Sequence, residues 1–69
     1  MLDHNHVPMK QYRQLQGMTQ KELSEKTGIS LRTIQNYEQG KNDIKKAAGE
    51  TLLILAKALN CSIEDLLQP

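Results

Sequence analysis

Sixty-nine residues make one small domain, which buries only about 60% of the surface its unfolded chain exposes and leaves no room for a substrate pocket beside a core. There is no Trp and no Phe, so aliphatic side chains must supply most of the core, while the single Cys61 excludes an intramolecular disulfide and fits a reducing compartment. A net charge of +1 and an isoelectric point of about 7.9 fall short of the basic balance usual for nucleic-acid partners, but residues 1–46 hold eight Lys/Arg against five Asp/Glu, whereas residues 47–69 hold one against three.

The opening MLDHNHVPMK has no apolar run. Neither a signal peptide nor a membrane span is expected, which points to a cytoplasmic protein. His4 and His6, with one distant cysteine, lack zinc-type spacing, so no metal is expected and residues 1–8 read as a flexible tail. Pro8 suits the first turn of a first helix. Its expected inward residues are Met9, Tyr12 and Leu15, and Gly17 ends it.

The segment TQKELSEKTGISLRTIQNYEQG, residues 19–40, carries the densest local information. Thr19 is an N-cap type residue and Glu22, three positions on, completes a capping box. Met18 and Leu23 can close a hydrophobic staple around that cap, and Glu22 and Lys26 pair at a spacing of four on the exposed side. Gly28 ends this second helix because a left-handed residue there costs glycine least. The pattern then restarts: Ser30 is the next N-cap, Ile29 and Ile34 are its staple, and Gly40 is the next stop. Two short capped helices joined through a four-residue connection with a glycine form a helix-turn-helix.

At about 100° per residue, the third helix, residues 30–39, separates into two faces. Thr33, Ile34, Tyr37 and Glu38 fall together and are expected to pack inward, while Leu31, Arg32, Gln35, Asn36 and Gln39 face outward with little reason to be buried. The outward types are those that read base edges: Arg pairs with guanine, Asn or Gln with adenine, and an apolar side chain touches the thymine methyl. Gln20 and Ser30, at helix N-termini, are placed to meet phosphate oxygens.

After Gly40, Lys41, Lys45 and Lys46 follow the recognition helix where a phosphate backbone would pass, with Lys10 and Lys21 as further candidates. Ile44, Ala48, Leu52, Leu55 and Leu59 recur at spacings of four, four, three and four, which predicts one fourth helix capped by Asn42 or Asp43 and weakened in its first turns by Gly49. Cys61, Ser62 and Leu66 repeat the staple-and-cap pattern for a short fifth helix with Ile63, Leu66 and Leu67 on its apolar side. No phosphate-binding glycine loop and no supported Ser/His/Asp set is present, so no enzyme, cofactor or small-molecule ligand is expected.

Thr19-Gln20, Leu23, Gly28-Ile29-Ser30, Ile34, Tyr37-Glu38 and Gly40 together resemble the signature of the Xre/Cro family of phage and bacterial repressors, over residues 9 to 67. The resemblance implies an all-α, five-helix domain over residues 9–69, with the helix over residues 30–39 lying in the major groove. By position, Leu31, Arg32 and Asn36 would read bases, and Gln20, Ser30 and Thr33 would touch phosphates or the groove edge; the residue types themselves add Gln35 to the base readers and Lys21, Lys41, Lys45 and Lys46 to the phosphate contacts. The resemblance also implies an ion pair between Arg13 and Glu38, which would turn Arg13 inward on the first helix as well. Two departures stand out. Ser24 occupies a position where the family commonly has alanine, and fits if its hydroxyl bonds back to the Gln20 carbonyl; the connection KNDIKKAAGET is longer than usual and lacks proline.

The expected function is therefore sequence-specific binding of double-stranded DNA and transcriptional regulation, most simply repression. A homodimer would form through the fifth helix, with Ile63 and Leu67 as contacts, or only on DNA. Two other readings are an antitoxin that regulates its own operon and a protein-interaction module that keeps the fold without DNA binding.

Overall fold

The computed structural model describes residues 8–68, which form five helices and one 3₁₀ turn: α1 (Pro8–Leu15), α2 (Gln20–Thr27), α3 (Leu31–Glu38), the 3₁₀ turn (Ile44–Lys46), α4 (Gly49–Leu59) and α5 (Ile63–Leu66). No strand occurs among the described residues. Of the tail expected over residues 1–8, residues 1–7, with both histidines, lie outside the described residues, and Pro8 is the first residue of α1.

Every helix sends at least one side chain into a shared centre: Met9 from α1, Leu23 from α2, Ile34 from α3, Leu55 and Leu59 from α4, and Leu66 from α5 are fully buried. Tyr12, Met18, Ile29, Tyr37, Ile44, Cys61 and Ile63 pack around them. Burying one such aliphatic side chain contributes about 1.5–3 kcal/mol, so this small set accounts for the cohesion of a domain without Trp or Phe. Within the packing, α4 lies against α1, α2 and α5, whereas α3 rests on α1 and α2.

The ends of the helices are set by local chemistry. Thr19 Oγ1 accepts from the Glu22 amide at 3.0 Å and Glu22 Oε1 accepts from the Thr19 amide at 2.9 Å, a complete capping box. The Thr19 amide, and then its hydroxyl, hold the Glu22 carboxyl below its ordinary range. That contribution is present above the unfolded carboxylate pKa and fades as the pH falls through the folded one. Ser62 and Asp65 build a second capping box at α5. Gly28 adopts φ of 77°, and a Cβ there would meet nothing within 4 Å. A side chain at position 28 would therefore cost only its left-handed backbone, about 1–2 kcal/mol. Asn60, at φ 56°, does the same for α4, with the Cys61 amide reaching back to the Ala56 carbonyl at 3.0 Å.

Two expectations about the scaffold need correction. Leu15 is 76% exposed. Arg13 takes the inward position at the end of α1, and residue 15 lies about 200° further round at 100° per residue, so the two cannot share a face. The stripe from Ile44 to Leu59 is not one helix either. Asp43 caps only the 3₁₀ turn, its carboxylate accepting from the Lys45 amide at 3.0 Å, and Ala47 and Ala48 are extended before α4 begins at Gly49. Gly49 is the residue that resists helix propagation through this point, against the helix preference of Ala47 and Ala48.

Ala48 is the N-cap of α4 and makes no side-chain capping bond. Its backbone is already extended, at φ −60° and ψ 147°, and it is exposed. Ala48→Ser should therefore stabilise the domain by about 1 kcal/mol, seen as a rise of roughly 4–8 °C in the thermal midpoint. An unchanged midpoint would mean that the first turn of α4 is frayed in solution.

Candidate nucleic-acid interface

The turn between α2 and α3 is tied by side chains. Thr27 Oγ1 donates to the Leu23 carbonyl at 2.8 Å and accepts from the Ile29 amide at 3.1 Å. Ser24 Oγ donates to the Ile29 carbonyl at 2.6 Å, not to Gln20. The reason is availability: the position-20 carbonyl serves the helix ladder, whereas the Ile29 carbonyl, in the turn, has no helical partner. Serine at position 24 thus fastens the turn from the α2 side.

Ser30 begins α3. Its Oγ accepts from the Thr33 amide at 3.1 Å and donates to Thr33 Oγ1 at 2.8 Å. Ser30 is exposed and Thr33 half-buried, so both hydroxyls lie at the start of α3 beside free backbone amides. Ile34 and Glu38 are buried, and Thr33 and Tyr37 half-buried, on the inward face. On the other face Arg32 and Gln39 are exposed and Leu31 is 38% exposed. Gln35 and Asn36 are half-buried, which departs from the expectation of a fully open face. At Asn36 the chain folds back after α3, and the Lys41 and Asn42 amides both donate to its carbonyl, at 2.9 and 3.2 Å.

The C-terminal end of α3 is anchored by a buried cluster contributed by three helices. Arg13 Nε donates to Glu38 Oε2 at 2.7 Å and Arg13 Nη2 to Glu38 Oε1 at 3.0 Å, while Nη1 donates to the Met18 carbonyl at 2.7 Å. Gln20 Nε2 adds a bond to Glu38 Oε1 at 3.0 Å. The side chains of Arg13 and Glu38 are 11% and 3% exposed, which separates this pair from surface ion pairs worth little. The hydrogen bonds that Arg13 donates to Glu38, opposed by burial and reinforced by the carboxylate charge, raise the Arg13 pKa above its ordinary value. No buried side-chain polar atom among the described residues lacks a partner.

Gln20, expected to reach a phosphate, also belongs to this cluster, a place the sequence conceals. One of its amide hydrogens is committed to Glu38, leaving the rest of a half-buried side chain at the N-terminus of α2. Lys21 and Lys10 are exposed on α2 and α1. The three lysines after α3 do not all line the same hollow. Lys41 and Lys46 line a cleft with Tyr37, Asn42, Asp43 and Ala47, whereas Lys45 lines an adjoining hollow that shares Tyr37, Asn42 and Asp43 with it and extends to Leu66, Leu67 and Gln68. Asn42 lies in the first cleft between Lys41 and Asp43, and the sequence marks it only as a possible helix cap. Cys61 takes no part in this face; burial, and then Asp65, push its thiol pKa up, so it stays protonated at neutral pH.

These features define an all-helical domain that displays one helix on a helix-turn-helix scaffold. A family model described as helix-turn-helix matches residues 9–66, and the chain belongs to this Xre/Cro-like helix-turn-helix family. Neither a curated protein nor a solved structure matches it. The family is a DNA-binding one and not typically enzymatic, and membership supports a DNA-binding, transcription-regulator-like function. Among the described residues no helix is long and apolar enough to cross a membrane, and no group of three His, Cys, Asp or Glu side chains could hold a metal ion.

Proposed function

We propose that the domain binds duplex DNA sequence-specifically by laying α3 in the major groove, and that it represses transcription by occupying its site in the cytoplasm. The observation that carries this reading is the pairing of an exposed Arg32 with neighbouring Leu31, Gln35 and Asn36 on a helix whose opposite side is fixed by Ile34 and the Glu38 cluster. Arg32 and Asn36, with Gln35 beside them, read base edges, and Leu31 meets a thymine methyl. Ser30, Thr33, Gln20 and Lys21 contact phosphates at the helix N-termini. Two copies on half-sites about 34 Å apart double the contact that one weakly charged domain can make.

The test is selection of bound duplexes from a random pool at low salt. Enrichment of a defined site supports the reading. Failure to enrich any sequence overturns it and favours a protein-interaction module, which the half-exposed Leu31 and the net charge of only +1 would also suit.

The lysines separate in this scheme. Lys41→Ala and Lys46→Ala, which share a cleft beside Tyr37, should each weaken binding to all sequences and lower the slope of log affinity against log salt by about 1. Lys45→Ala, facing the C-terminal hollow, should change the slope less. Equal slopes for the three variants would show that the cleft is not the phosphate contact.

A further inference from the structure

Most of the large apolar side chains have an assigned place: in the core, around it, or on α3. Leu15 at the end of α1, 76% exposed, and Leu53 and Ile54, 47% and 37% exposed, do not. Leu53 and Ile54 are adjacent in the middle of α4, whose other side buries Leu52, Leu55, Ala56 and Leu59 against the core. The exposed neighbours that complete their stripe are Glu50 and Lys57. Positions 50, 53, 54 and 57 follow the spacing that places residues on one helix face.

This stripe is its own complement. Reversing the direction of the helix exchanges position 50 with 57 and position 53 with 54. We propose that α4 is a self-association surface, on which two copies pair antiparallel about a twofold axis passing between Leu53 and Ile54. Each Leu53 then meets the partner's Ile54, and each Glu50 meets the partner's Lys57, as an isologous contact requires. The basic end is reinforced from α2, because Lys26 lines a cleft with Ile54, Lys57 and Ala58. The partner's Glu50 would then approach a cleft that carries both lysines.

The surface differs from the fifth helix expected to carry a dimer. Ile63 of α5 is packed partly against the core and Leu67 is a half-buried C-cap, so neither offers as much free apolar area. One helix pair falls below the roughly 1,200–2,000 Å² that stable complexes bury, so the α4 contact is weak in free solution and gains from two copies being held side by side.

Sedimentation equilibrium without DNA, at low salt and protein up to about 1 mM, tests the pairing independently of the DNA-binding reading. Wild-type chain should dimerise. Glu50→Lys and Lys57→Glu each bring like charges together twice and should weaken self-association by about tenfold or more. An equimolar mixture of the two variants should associate again. In the mixed dimer the lysine introduced at position 50 of one chain faces the glutamate introduced at position 57 of the other, and at the second contact the native Lys57 and Glu50 still meet. Glu50→Lys also places a cation in the first turn of α4, which lowers helix stability. Thermal melting checks folding, and a defect of folding would not be repaired by mixing. A wild-type chain that stays monomeric, single variants that associate like wild type, or a mixture no better than its components would each overturn the proposal.

Discussion

Replacing Glu38 with alanine should lower the stability of the folded domain by about 3–5 kcal/mol, a large part of the roughly 3–10 kcal/mol expected for a chain of this size. The cause is not the lost attraction alone. Arg13 would keep its burial and its charge while losing two of the three hydrogen bonds its guanidinium makes, and Gln20 would lose its acceptor. Urea unfolding with a thermal melt measures the effect, and an unchanged midpoint would reject the anchoring role. Arg13→Met combined with Glu38→Leu should cost less than Glu38→Ala, since an apolar pair leaves no stranded charge. Sequence preference of whatever Glu38→Ala protein remains folded should be unaltered, because Glu38 faces inward.

Arg32→Ala should have the opposite profile. Arg32 is exposed, so the melt should hardly move. Under the proposed function, binding to the selected site should weaken by about 1–3 kcal/mol, with discrimination relaxed at a single base-pair position. Asn36→Ala should relax a different position by a similar amount, with some loss of stability because Asn36 is half-buried. Competition between the selected duplex and its point variants reads both effects. A loss from Arg32→Ala that is uniform across all duplexes would reassign that residue to a phosphate.

How much of this is legible in the sequence depends on how local each signal is. The two helices of residues 19–40 are written in caps three residues apart, in staples spanning them and in two glycines, all short-range features that survive in the fold. The core residue of each helix follows from the same periodicity. The start of α4 escapes it, because an apolar spacing of four continues across residues 44–48 although the backbone there is a 3₁₀ turn followed by two extended residues. Periodicity registers an apolar spacing and is blind to the break, which also turns Ala48 out to solvent while Ile44 stays half-buried. Leu15 is misplaced by the same reasoning because the inward slot near it goes to a charged residue. The Arg13–Glu38 contact spans 25 positions and has no local mark, so only the family pattern points to it. Gln20 is harder still: its bond to Glu38 depends on how α2 settles against α3. Asn60, by contrast, carries a usable sign, since asparagine tolerates a left-handed backbone just past a helix.

The cluster around Glu38 draws its cation from outside the helix-turn-helix. Excised as a peptide, residues 19–40 would present an unneutralised carboxylate on the very side that must be covered, and would have neither Met9 nor Leu55 to shelter Ile34. The portion that confronts the double helix is thus not a transplantable module. Whatever its binding specificity, the smallest fragment able to express it must reach back to the N-terminal helix and forward to α4.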